Sequence, residues 1–302
     1  MKNFNSVLLV CAVLMAVFAV GAVSSGCNSS KLSFNSTSLS TSFVDNAPPK
    51  EINYGVNFPI YVEIKNLGGY AIPAGAAKIY LSGIGQNLIN VQTKLSNTNA
   101  LAEKTNMQPG GSEILNFATN AQATQQLPKA FNFTMKITSC YDYATIVQAG
   151  VCVGKGDGIC SLTGNKIENG KSTSAPVQIT EMTEQVTGNK LYLAFKITNL
   201  GSGRVYLTDT DCDKLSQADI NEQLKEGKVN IAVRTDSGFL CNLQAVQPPY
   251  STGKALEGVS QVGFTVNCEK TLTDANSYLA PTEIALGYKY VDSITKVMTI
   301  LP

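Results

Sequence analysis

One alternation occurs twice in this sequence and ends the same way both times. In "FPIYVEIKNLGG" the apolar Phe58, Ile60, Val62 and Ile64 fall on one side of an extended chain, while Tyr61, Glu63 and Lys65 fall on the other. In "LYLAFKITNLGS" Leu191, Leu193, Phe195 and Ile197 repeat the stripe. A period of two describes a half-buried β-strand, whereas the apolar positions of an amphipathic helix recur about every 3.6 residues. Each strand runs into Asn-Leu-Gly, at 66–68 and at 199–201. There Asn can bond nearby backbone, Gly can supply the positive φ of a tight turn, and Leu67 and Leu200 are expected to plug the end of a sandwich. "AKIYLSG" follows the first copy and "GRVYLTD" the second, so the repeat extends beyond one phrase. Two copies so far apart imply two homologous domains and not a short-period solenoid.

The rest of the chain supports a mainly β fold. "MQPGGSEILNFAT" places a Pro-Gly-Gly turn before another strand, and "AFNFTMKITSCYDY" and "TIVQAGVCVG" read as a pair of long strands. "KVNIAVRT", "FLCNLQAV", "VGFTVNC", "TEIALGYKY" and "SITKVMTIL" continue the pattern. One helix is expected in the second half, in "LSQADINEQLKEGK", with Ser216 as N-cap, Asp219 three residues later and Gly227 as C-cap. The polar span 164–175 marks a boundary. The expected organisation is a signal or anchor over 1–27, a Ser/Thr/Asn-rich stalk over 28–49, and β-sandwich domains over 50–170 and 175–302. Part of the stalk, "LSFNSTSLSTSF", also alternates loosely and is compatible with a strand.

The first residues read as an address. Lys2 precedes an uncharged run from Val7 to Val23 and then small residues, the layout of a signal peptide. "SSGC" resembles a lipobox, which makes Cys27 a candidate for lipidation. Ordinary cleavage near Ser25 and an uncleaved anchor are the alternatives, and all three imply export. Outside the cell six cysteines, Cys140, Cys152, Cys160, Cys212, Cys241 and Cys268, read as disulfides. Spacing favours Cys152 with Cys160 around "GKGDG" and Cys241 with Cys268 on neighbouring strands. Cys140 with Cys212 remains by elimination and would tie the two halves together. Export also gives meaning to the sequons headed by Asn28, Asn35 and Asn132, of which Asn35 has the most polar surroundings.

Composition removes several classes of chemistry. The chain has no His, which excludes Ser-His-Asp and Cys-His catalysis and His-ligated zinc. A formal net charge of +1 with 15% charged residues leaves no electrostatic footprint for nucleic acid. No Cys-x-x-Cys suggests structural zinc. Asp209, Asp211 and Asp213 imitate the start of a calcium loop, but Lys214 and Ile220 stand where Gly and Glu are required. "GNKIENGKS" imitates a P-loop with one residue too many between its glycines. No catalytic, cofactor-binding or metal-binding residue is therefore assigned, although a carboxylate pair brought together in space would escape sequence reading. Tyr141, Tyr143, Tyr288 and Tyr290 form i, i+2 pairs, each on one strand face. Strand packing is the ordinary reading, and a strip for glycan or a partner chain is the functional one.

"FPIYVEIKNLGGYAIPAGAAKIYLSG", "MQPGGSEILNFAT" and "KAFNFTMKI" together resemble CARDB-type domains, the Ig-like sandwiches of prokaryotic surface proteins. The resemblance covers roughly residues 50–140 and returns in part at 188–208, where the second half inserts a helix and lacks the Pro-Gly turn. "SCYDYATIV", "FKITNLGSGRVY" and "IALGYKYVDSITKVMTI" resemble exported two-domain proteins of small-genome (DPANN-type) archaea. The resemblance implies two Ig-like sandwiches in tandem, a surface location and disulfides, and no activity. The expected role is therefore an exported, surface-tethered tandem β-sandwich, adhesive or structural in the cell envelope. Its partners would be envelope proteins or glycans, with membrane contact through the N-terminal anchor alone and no nucleic acid. A subunit polymerising by strand donation from 31–43 and a secreted carboxylate hydrolase are the alternatives.

Overall fold

The computed structural model describes residues 35–302 except 84–87, 155–157, 159, 236–237, 244–250, 255–262 and 274–275. The signal, Cys27 and Asn28 lie outside the described residues. Phe34–Pro302 form one compact unit. Its strands in chain order are β1 (Leu39–Phe43), β2 (Glu51–Asn53), β3 (Phe58–Asn66), β4 (Lys78–Ser82), β5 (Lys94–Ser96), β6 (Ser112–Ala121), β7 (Phe131–Val153) and β8 (Ile167–Ser172). They continue with β9 (Val177–Thr187), β10 (Lys190–Asn199), β11 (Arg204–Tyr206), β12 (Asn230–Thr235), β13 (Leu240–Cys241), β14 (Ser251–Lys254), β15 (Phe264–Thr271) and β16 (Tyr278–Leu301). Two short helices, α1 (Cys212–Ser216) and α2 (Ile220–Gln223), lie between β11 and β12.

The molecule is built on two unusually long strands. β7 has 23 residues and β16 has 24, and they pair antiparallel from Phe131↔Ile300 to Val153↔Tyr278. Sequence reading divides each of them in two. The structure keeps each whole: the two junctions pair directly with neighbouring stretches of the partner strand, Asp142↔Lys289 and Asp292↔Ser139, and the alternation passes through both in phase. Seven further strands flank this ribbon and complete a nine-stranded sheet, with β4 and β8 along β7 and with β12, β11 and β2 along β16. Strands from both sides of the 164–175 span thus share one sheet.

Two smaller sheets, β1-β3-β6 and β13-β15-β10-β9, cover one face of it in a sandwich-like arrangement. The covered face carries Met135, Ile137, Tyr141, Tyr143, Val147 and Val151 from β7, and Ala280, Ile284, Leu286, Tyr288 and Tyr290 from β16, all buried. Directly opposed residues of an antiparallel pair share a face, so the two stripes form one apolar surface. The small sheets repeat one another. β3 pairs with β1 from Leu39↔Asn66, and β10 pairs with β9 to Val177↔Asn199. Leu39–Phe43 of the expected stalk are therefore a strand of the sheet.

The helical segment departs from expectation. Residues 212–223 form two helical turns and not one helix, because Ala218 takes φ 62 between them. Asp211 caps α1, its side chain accepting from the amides of Asp213 and Lys214, and Asp219 caps α2. Ser216 closes α1 and does not start a helix. Gly227 does take a positive φ, 72°.

Candidate functional site

The two Asn-Leu-Gly phrases occupy matching places, where each small sheet meets the ribbon. Asn66 Oδ1 accepts from the Gly68 amide at 3.2 Å and from the Tyr143 hydroxyl at 3.4 Å. Asn199 Oδ1 accepts from the Gly201 amide at 3.2 Å and from the Tyr290 hydroxyl at 3.4 Å. The amide of Leu67 donates to Ser38 O and that of Leu200 to Pro176 O. Gly68 and Gly201 are not in the left-handed region; their role is close approach. A Cβ on Gly68 would overlap the Tyr143 hydroxyl and the carbonyl oxygens of Thr37 and Ser174, and one on Gly201 would overlap the Tyr290 hydroxyl and Pro176. Leu67 is half-buried and Leu200 is 41% exposed, so the second leucine does not plug the sandwich.

The four tyrosines are core and not a binding strip, since each is at most 2% exposed. Tyr143 faces Tyr288 and Tyr141 faces Tyr290 across the ribbon. Their rings close a four-membered cluster with centroid separations of 5.8 to 6.4 Å, in edge-on or tilted contacts. Every hydroxyl is partnered: Tyr141 by Ser38, Tyr143 by Asn66, Tyr288 by Thr145, and Tyr290 by Asn199 and the Gly203 amide. Burial raises all four phenols, Tyr290 to about 12, so none ionises near neutrality.

The cysteines meet as Cys140–Cys212, Cys152–Cys160 and Cys241–Cys268. The first has the larger structural consequence. Cys140 lies on the outer face of the ribbon, and Cys212 begins α1, so the bond fastens the helical segment to that face. Asp213 strengthens the attachment by accepting from the Tyr80 hydroxyl at 2.7 Å and pairing with Lys94 at 2.5 Å. These two contacts, first the lysine and then the tyrosine, hold its carboxyl below the ordinary range. Beside the second disulfide lies a buried ion pair, Lys166–Glu184, at 3.0 Å, with the side chains 6% and 0% exposed. Glu184 also accepts from the Cys152 amide at 3.0 Å. Burial outweighs both contacts and leaves its carboxyl above the ordinary range.

Fastening the helices over the sheet encloses a cleft of about 620 Å³. Its floor is the outward face of β4, β7, β11 and β16, with Tyr80, Lys136, Thr138, Arg204 and Ser293, and its roof includes Leu215, Gln223 and Glu226. The Tyr206 hydroxyl donates to Glu226 Oε2 at 3.1 Å, and Arg204 lies 3.7 Å from the same oxygen. A second hollow of about 250 Å³ lies beside it and also touches Cys212; Lys78, Asp142 and Lys289 line it. Sequence reading named Cys140 and Cys212 as a disulfide and Ser216 as a helix cap, but did not bring the lining residues together as a site. They come from four strands and two helical turns, and no local pattern joins them. The nearest signal was the pairing of Cys140 with Cys212.

The other candidate positions are dispersed. Asn35 is exposed before β1 and its carbonyl accepts from the Ala175 amide. Asn132 is exposed on β7 and its side chain accepts from the Thr299 hydroxyl at 2.8 Å. Among the described residues no group of three His, Cys, Asp or Glu side chains converges to hold a metal, and no helix is long and apolar enough to cross a membrane. No family model matches the chain, and no curated protein matches it.

Proposed function

We propose that this is an exported, surface-tethered protein of two Ig-like β-sandwich halves that serves as a binding or structural element of the cell envelope, without catalysis. The observation that carries the reading is the Cys140–Cys212 bond. It shapes the cleft, and disulfides persist in oxidising compartments such as the cell surface. The matching contacts of Asn66 and Asn199 support two repeats of one scaffold. Tethering comes from the N-terminal segment, with Cys27 as the lipidation candidate and Asn35 and Asn132 as glycan acceptors. Mass spectrometry of the native protein tests this reading. Three disulfides and a processed or lipidated N-terminus in the membrane or surface fraction are expected. Free thiols on a chain in the cytosolic fraction would reject it.

Strand donation asks β1 to leave β3, although its Leu39 is buried and its residues pair in register from Leu39↔Asn66 to Phe43↔Val62. Deleting 31–43 separates the two readings. The envelope reading expects a destabilised monomer, and the polymer reading a stable monomer that no longer assembles.

A further inference from the structure

We infer that the cleft between the disulfide-fastened helical segment and the outer sheet face binds a neutral, hydroxyl-rich ligand of the linear oligosaccharide class. This rests on the surface location proposed above, where glycans are the available polymers. Three features of the cleft choose the class.

The first is lining chemistry. Hydroxyls (Thr138, Ser202, Ser216, Ser293), an amide (Gln223), carboxylates and a guanidinium surround the space. Together these groups supply both donors and acceptors for sugar hydroxyls. The side chains of Lys136, Thr138, Gln223 and Ser293 make no hydrogen bond to other described residues, so the cleft retains spare polar groups. The aliphatic contribution is small, chiefly Leu215 and Val291, which argues against a site for an apolar anchor.

The second is charge. Lys136 and Arg204 are matched by Glu226 and Asp292. Arg204 and Glu226 already face one another at 3.7 Å, and the Ser202 hydroxyl is 3.4 Å from Asp292. A balanced site has no preference for polyanions or for basic peptides.

The third is position. The cleft lies on a sheet face and not at an edge. β7 is paired on both sides at this level, with β4 and with β16, and β11 also pairs with β16. The central floor strand thus offers no free ladder to an extended peptide, which leaves strand addition only the short margin at β11. The volume is within the roughly 300–1,000 Å³ of small-ligand sites.

The test is calorimetric titration of the full disulfide-bonded protein with linear tetrasaccharides of β-1,4-glucose, β-1,4-N-acetylglucosamine, α-1,4-glucose and α-1,6-mannose, and with heparin as a polyanion. At least one neutral tetrasaccharide is expected to bind. Gln223→Ala and Lys136→Ala, both on exposed residues, are each expected to weaken that binding about tenfold with an unchanged melting temperature. Lys65→Ala, on the first small sheet, is expected to leave it intact. The inference is overturned if no neutral saccharide binds, if the cleft variants bind as well as the parent, or if heparin binds there in their place. Surface location with an inert cleft rejects the ligand class alone. Saccharide binding by a cytosolic chain rejects the tether alone.

Discussion

Gly201 has no side chain where Tyr290 needs the space, and this makes the repeated phrase testable residue by residue. Gly201→Ala would drive its Cβ into the Tyr290 hydroxyl and should cost about 1–3 kcal/mol. Tyr290→Phe removes the nearer obstacle, with Pro176 remaining, and leaves the Gly203 amide without its acceptor, at about 1 kcal/mol. Chemical denaturation should show the double variant less destabilised than the sum of the singles. Strict additivity would mean the hydroxyl is not the obstacle. At Gly68 the obstacles include the backbone oxygens of Thr37 and Ser174, so Tyr143→Phe should rescue Gly68→Ala little. Glu184 supplies a second residue-scale prediction. With no His and bridged cysteines, composition implies a stability nearly flat from about pH 5 to 8. Burial raises the Glu184 carboxyl, so between its ordinary and raised values the folded state keeps a proton that the unfolded chain has lost. Stability from this group should therefore fall as pH rises through that window and level off above it. Glu113 behaves oppositely. Burial raises its carboxyl, but bonds from the Thr98 hydroxyl and the Thr98 and Asn99 amides prevail and lower it, so its contribution is lost as pH falls. Melting curves of Glu184→Gln against the parent should show the first slope disappear; an unchanged slope would assign it elsewhere.

At the scale of elements, the helical segment is the part most dependent on a single bond. α1 and α2 are too short to be stable alone, and Ile220 and Leu224 are each 64% exposed, so little apolar burial holds the second turn. Cys140→Ser with Cys212→Ser opens a bridge of sequence separation 72, and should cost about 4 kcal/mol in the chain-entropy model. Amide exchange should accelerate first across 207–228, because the segment then relies on Asp213 with Tyr80 and Lys94. Protection unchanged there would show that packing suffices. Cys152→Ser with Cys160→Ser opens a separation of 8 and should cost less, about 2.6 kcal/mol. The long strands show why elements were only partly legible. The alternation in β7 and β16 is plain in the sequence, but strands of 23 and 24 residues far exceed the usual length, and Asp142 and Asp292-Ser293 are residues that also suit turns. For the helix, two caps eight residues apart compete, and the positive φ of Ala218 has no signature in its residue type.

Across the whole molecule, the ribbon joins what the repeat divides. Both small sheets rest on β7 and β16, and the tyrosine cluster lies where Asn66 and Asn199 approach them. Disrupting either half exposes part of the same strands, so scanning calorimetry should give one transition with equal calorimetric and van't Hoff enthalpies. Two resolved transitions would show that the ribbon does not couple the halves. The sequence by itself determined the strand-rich class, the inward stripes of β3 and β10 and the repetition of Asn-Leu-Gly, because side-chain alternation and turn chemistry are local. It also drew attention to the tyrosine pairs, whose i, i+2 spacing puts each pair on one face. Only the tertiary structure decided that the tyrosine face is buried, that two long strands carry both halves, and that Lys136, Arg204, Gln223 and Glu226 share a cleft. Those outcomes depend on register and packing between residues far apart in the chain, where a sequence records the residues but not their meeting.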